Sequence, residues 1–97
     1  MEKVNELYAR LRSLPFPVLG KVVGDFVLFD SLVAGCAGRV CKGGRVARSE
    51  VPTPDDATTE HLKLLRSKQV LSAEEREFLA YFELLDQLRL ALLEQTA

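Results

Sequence analysis

The chain has 97 residues, 47% of them hydrophobic and 28% charged, with a net charge of −1, which suffices for one small domain over 1–97 whose core is limited by its surface-to-volume ratio. Residues 1–13 lack the apolar run of a secretory signal, and Asp25 and Asp30 break the longest apolar span well short of a bilayer crossing. A soluble cytoplasmic protein without membrane contact is therefore expected, its two cysteines reduced.

The charge is unevenly spread. Residues 1–38 hold four basic and four acidic groups, residues 39–48 hold Arg39, Lys42, Arg45 and Arg48 with no acid, and residues 49–97 hold five basic and ten acidic groups. A basic segment in front of an acidic half suggests self-complementary electrostatics, within the chain or between copies.

A first helix is expected over about 2–14, where Val4, Leu7, Tyr8, Leu11 and Leu14 recur at helical spacing. Pro15 and Pro17 stop it and hold Phe16 between them as an anchor. Pro17 to Gly44 is the most apolar stretch and carries all six glycines. Read as a helix over about 18–42, it aligns Gly20, Gly24, Leu28, Ser31, Gly35 and Gly38 at steps of 4, 4, 3, 4 and 3. Small residues in such a stripe allow close packing against another backbone, at a cost of roughly 1 kcal/mol per interior glycine relative to alanine.

An extended reading competes, because Val22, Val23, Phe26, Val27 and Phe29 are strand formers and Gly43-Gly44 could turn a hairpin. That hairpin would set Lys42 opposite Arg45 and Arg39 opposite Arg48, and like charges directly opposed are destabilising. The helix is preferred, with Gly43 or Gly44 as its stop; whether 17–44 forms one continuous helix, or breaks near Gly35 to Gly38, stays open. Residues 45–51 read as a loop or one short extended segment, held open by Pro52 and Pro54.

Asp55 or Asp56 caps a third helix over about 55–68, with Leu62 and Leu65 as a narrow inner stripe and Leu64 to one side. Ser72-Ala73-Glu74-Glu75 is a capping box that opens a fourth helix over about 72–94. The apolar residues of this last helix cover far more than the stripe of a surface helix, so it needs partners on two sides. The aromatic residues Phe16, Phe26 and Phe29 and then Phe78, Tyr81 and Phe82 are expected to meet between the second and last helices. One side would meet the core, and Phe78, Tyr81, Leu84, Leu88 and Leu92 are candidate subunit contacts on the other.

No motif names a reaction. Cys36 and Cys41 lie about 140° apart on a helix, with no second cysteine pair, so two small buried thiols are expected in place of a metal site. Asp25 follows Lys21 by four residues and is read as its partner; Asp30 is read as a helix-edge carboxylate or the partner of an arginine from another segment. His61, between Glu60 and Lys63, reads as solvated, and nothing in the spacing brings it to Ser31 and an aspartate as a catalytic triad. Neither Gly20-Lys21 nor the glycines around Lys42 match a phosphate loop, which leaves only a backbone-amide nest at Gly43-Gly44 with Arg45.

Arg39, Lys42, Arg45 and Arg48, at a regular spacing of three, are candidate contacts to a partner or to phosphates. No aromatic residue interleaves them for base stacking. The expected fold is an all-α domain of four helices, without cofactor or metal. The expected function is a non-enzymatic, self-associating protein-interaction module, a homodimer with an unknown protein partner; the alternative is a small nucleic-acid-binding protein using the basic run.

Overall fold

The computed structural model describes residues 2–17 and 24–96. They form α1 (Glu2–Ser13), α2 (Gly24–Cys41), a single 3₁₀ turn at Arg48–Glu50, α3 (Asp56–Ser67) and α4 (Ala73–Gln95). There is no strand among the described residues, so the domain is the four-helix, all-α fold expected, and 45–51 forms a loop with a 3₁₀ turn instead of an extended segment. α2 runs without a break through Gly35 and Gly38. The part of the expected second helix at 18–23 lies outside the described residues.

α4 is the central element and packs on α1, α2 and α3. Its N-terminus is built as the sequence requires: the Ser72 hydroxyl accepts from the Glu75 amide at 3.1 Å and Glu75 Oε1 accepts from the Ser72 amide at 2.9 Å. Lys68 donates to the other oxygen of Glu75, and these contacts, the lysine first, pull the Glu75 carboxyl down to about 2. Asp55 caps α3 by accepting from the Thr58 amide at 2.9 Å.

The core condenses around Phe26, which is fully buried. Its ring lies 4.6 Å from Phe78, 6.2 Å from both Tyr81 and Phe82, and 5.9 Å from Phe16, centroid to centroid. Phe29 stacks on Phe82 at 5.6 Å. Burying one such side chain contributes on the order of 1.5–3 kcal/mol, and tilted or edge-to-face pairs add about 0.5–1.5 kcal/mol each. Phe16 closes the end of the cluster against Phe26 and Tyr81, which is the anchoring its two prolines suggested.

The helix directions follow from these contacts. Phe26 meets Phe78, Phe29 meets Phe82, and Val40 and Leu92 line one groove, so α2 and α4 run in the same sense. Tyr8 of α1 sits against Gly38 while Phe16 sits against Phe26, so α1 runs opposite to α2.

α2 ends in a Schellman turn. Gly43 has φ +87°, its amide donates to the Val40 carbonyl at 3.0 Å, and the Gly44 amide donates to the Arg39 carbonyl at 2.8 Å. A Cβ at Gly44 would stand 2.9 Å from both the carbonyl oxygen and Cγ of Arg39, so this position accepts no side chain without moving the helix end.

Two residues on adjacent positions of α2 should respond very differently to truncation. Phe26→Ala is expected to lower the stability of the monomer by about 3–5 kcal/mol, whereas Val27→Ala, at an exposed site, should change the stability of the monomer by no more than about 0.5 kcal/mol. Urea denaturation followed by circular dichroism reads both; similar costs would contradict the burial pattern of α2.

Candidate functional site

The exposed surface of α2 and the basic turn that follows it hold most of the residues singled out in the sequence. At 100° per residue the buried set Phe26, Phe29, Val33, Ala37 and Val40 lies on the side of the helix opposite to Gly24, Leu28, Ser31, Gly35 and Gly38. The small-residue stripe is therefore not the inner packing surface of the chain. Ser31 is exposed, Leu28 is 59% exposed, and a Cβ at Gly35 would meet nothing within 4 Å. Gly38 is approached by the Tyr8 hydroxyl, whose oxygen would lie 3.2 Å from an added Cβ. Gly20 lies outside the described residues.

Val27 and Leu32, at 42% and 47% exposure, flank the stripe and complete an apolar outer face along the first three turns of the helix. α2 is thus apolar on both sides, and its outer face at Val27, Leu28 and Leu32 is exposed.

The α4 residues expected at a subunit contact are elsewhere. Phe78, Tyr81, Leu84, Leu88 and Leu92 are all buried inside the chain, because α1, α2 and α3 surround α4 on the sides its wide apolar surface presents. Two-sided coverage was the right requirement for this helix, and the monomer itself meets it.

At the basic end, Arg39 is already committed. Its Nη2 lies 2.7 Å from Glu50 Oε2, and Nε and Nη2 donate to the Arg45 carbonyl at 3.2 and 2.9 Å. Glu50 Oε2 also accepts from the Ala47 amide at 2.7 Å. The Ala47 amide first and Arg39 second hold the Glu50 carboxyl below its ordinary range. Cys36, one turn before Arg39, donates its thiol to the Glu50 carbonyl at 3.7 Å. Arg39, Glu50 and Cys36 thus tie the loop 45–50 to the end of α2. Lys42, Arg45 and Arg48 are exposed and form no ion pair among the described residues.

The amides of Gly43 and Gly44 are spent on the helix end, so they form no anion nest. A groove of about 650 Å³ opens between this turn and the last turn of α4, with Val40, Val46 and Leu92 on its floor and Arg45, Gln95 and Thr96 around it.

The remaining candidates are dispersed. Asp30 accepts a 2.6 Å hydrogen bond from the Tyr81 hydroxyl, so its partner is a buried tyrosine and not an arginine. Burial, and then the neighbouring Asp30, push the Tyr81 hydroxyl well above its usual range. The side chain of Asp25 is outside the description. Asp30 does not line the groove beside Gly43 and Gly44.

His61 is not solvated as expected. Its Nε2 is buried without a hydrogen-bond partner, and its ring stands edge-on to Phe78 at 5.3 Å. The sequence neighbours Glu60 and Lys63 masked the fact that position 61 shares the inner face of α3 with Thr58, Leu62 and Leu65. With Ser31 exposed on α2, these residues form no catalytic triad.

Cys36 is half-buried and Cys41 exposed, both free, in place of two buried thiols. Burial pushes the Cys36 thiol up. No cluster of three or more metal-ligating side chains occurs among the described residues, and no helix there is long and apolar enough to cross a membrane. Comparison of the chain with protein-family models, curated proteins and solved structures gave no match in any of the three.

The Arg39–Glu50 contact is measurable through the Ala47 amide. The proton chemical shift of Ala47 should titrate with a midpoint below the ordinary carboxylate value of 4.5. Arg39→Gln should raise that midpoint only part of the way, since the amide bond remains. The stability this carboxylate contributes is present above its ordinary pKa and is lost as pH falls through the lowered one. A midpoint indifferent to Arg39→Gln would show that the guanidinium does not act on Glu50.

Proposed function

We propose that this chain is a non-enzymatic, self-associating helical protein-interaction module, a homodimer of the cytoplasm that pairs through the outer face of α2. The observation that carries this reading is the uncovered apolar surface of Val27, Leu28 and Leu32 on a helix whose opposite side is already in the core. A helix that is apolar all round is stable in water when both sides are covered. Beside the two leucines stand the small residues Ser31 and Gly35, and a Cβ at Gly35 would meet nothing within 4 Å.

The two unbonded cysteines suit a reducing compartment. An enzymatic reading finds little to work with, since Asp30 is taken up by Tyr81 and His61 has no hydrogen-bond partner at Nε2. The nucleic-acid reading loses Arg39 to Glu50 and keeps three cations, without an aromatic residue among them.

Sedimentation equilibrium at micromolar concentration tests the proposal. The wild-type chain should show a reversible dimer, and Leu28→Glu or Leu32→Glu should weaken it by more than about tenfold, as expected when at least about 1.4 kcal/mol of apolar burial is lost. The helical content of both variants should be unchanged, because neither side chain is in the core. A wild-type chain that stays monomeric throughout this range would overturn the proposal.

A further inference from the structure

The groove between the turn after α2 and the last turn of α4 shares no residue with the outer face of α2, so what it binds does not depend on whether two copies pair. We infer that this groove takes a short acidic segment of another protein. One aliphatic or aromatic side chain of that segment seats on Val40, Val46 and Leu92, and its carboxylates meet Arg45, with Lys42 and Arg48 three residues to either side in the chain adding to the same field.

The floor supplies the apolar half of the recognition. Val40 comes from α2, Val46 from the loop and Leu92 from α4, and together they close a hollow of about 650 Å³, within the roughly 300–1,000 Å³ usual for ligand sites. Its wall is formed in advance. Arg39 holds the Arg45 carbonyl through Nε and Nη2, and Glu50 Oε2 accepts from the Ala47 amide, so residues 45–47 stand in place before a ligand arrives. An ordered wall costs less to occupy than one that must order itself around its ligand.

Charge selects an acidic occupant. Arg45 is the charged residue of the lining, and no carboxylate lines the groove with it. The side chains of Lys42, Arg45 and Arg48 form no ion pair among the described residues, whereas Glu50, the acid of this loop, is held by Arg39. The last carbonyls of α2 are satisfied by the amides of Lys42, Gly43 and Gly44, so these cations are not consumed in capping the helix.

The main chain favours a peptide. Neither the amide nor the carbonyl of Val46 forms a hydrogen bond among the described residues. The groove therefore offers a peptide bond one donor and one acceptor beside an apolar floor, and extended peptides bind through such a pairing of backbone bonds with side-chain pockets. A nucleic acid would need a stacking surface, and no aromatic residue lines the groove.

Amide spectra of the full chain, titrated with a pool of acetylated pentapeptides, test the inference. Each peptide carries four glutamates around a central leucine, isoleucine, valine or phenylalanine. Shifts are expected at Gly44, Val46, Ala47, Gln95 and Thr96. Fluorescence anisotropy of the labelled leucine peptide should show binding that Arg45→Glu weakens by more than about tenfold. Lys63→Glu, the same charge change on exposed α3, should leave it unaltered. Serine in place of the central leucine should weaken binding by about tenfold as well.

No shift in the groove at millimolar peptide would overturn the inference. Equal binding of the leucine and serine peptides would do the same, because the floor would then play no part. A uridine oligonucleotide that shifts Lys42, Arg45 and Arg48 while the peptides shift nothing would overturn it in favour of a nucleic acid.

Discussion

The contact of Phe26 with Phe78, Tyr81, Phe82 and Phe16 is the constraint on which the rest of the molecule depends. It fixes which side of α2 faces inward and sets α2 parallel to α4. It also draws the chain before α2 back over the end of the cluster, through Phe16. A domain of this size has few such contacts to spend, since its surface is large relative to its interior. With the aromatic rings concentrated on one side of α2, Val27, Leu28 and Leu32 on its other side stay exposed.

That consequence links the core to the outer face. The same helix is apolar at Phe26, Phe29, Val33, Ala37 and Val40 on one side and at Val27, Leu28 and Leu32 toward the other. The inner set is held by aromatic packing, while the outer set is exposed, with the small residues Ser31 and Gly35 beside the leucines. At the C-terminal end of α2, Arg39 turns inward to the loop and joins Glu50 and the Arg45 carbonyl, which organises the basic turn and leaves the remaining cations facing outward.

Much of the fold was legible from local chemistry. The capping box at Ser72, the Asp55 cap, the prolines around Phe16 and the glycine stop after Cys41 are short-range devices, and each forms as its residues dictate. The meeting of the two aromatic groups was legible too, because no other element can bury them. The candidate site was less so. α2 carries two helical stripes on opposite sides, one aromatic and branched, one small, and periodicity identifies both without saying which faces the core. The wide apolar surface of α4 likewise announces two-sided burial, but only the packing of α1, α2 and α3 around it shows that one chain provides both sides. His61 was misread because its sequence neighbours are charged, whereas its helical neighbours, Thr58, Leu62 and Leu65, are buried.

The central claim is that the uncovered side of α2, and not the apolar surface of α4, is where this molecule meets a second copy. A dilution series of amide proton–nitrogen spectra tests it residue by residue, without substitution. The account predicts concentration-dependent shifts over residues 27–35, with the amides around Phe78, Leu84 and Leu88 unmoved. Shifts confined to α4, or none across the accessible concentration range, would contradict it.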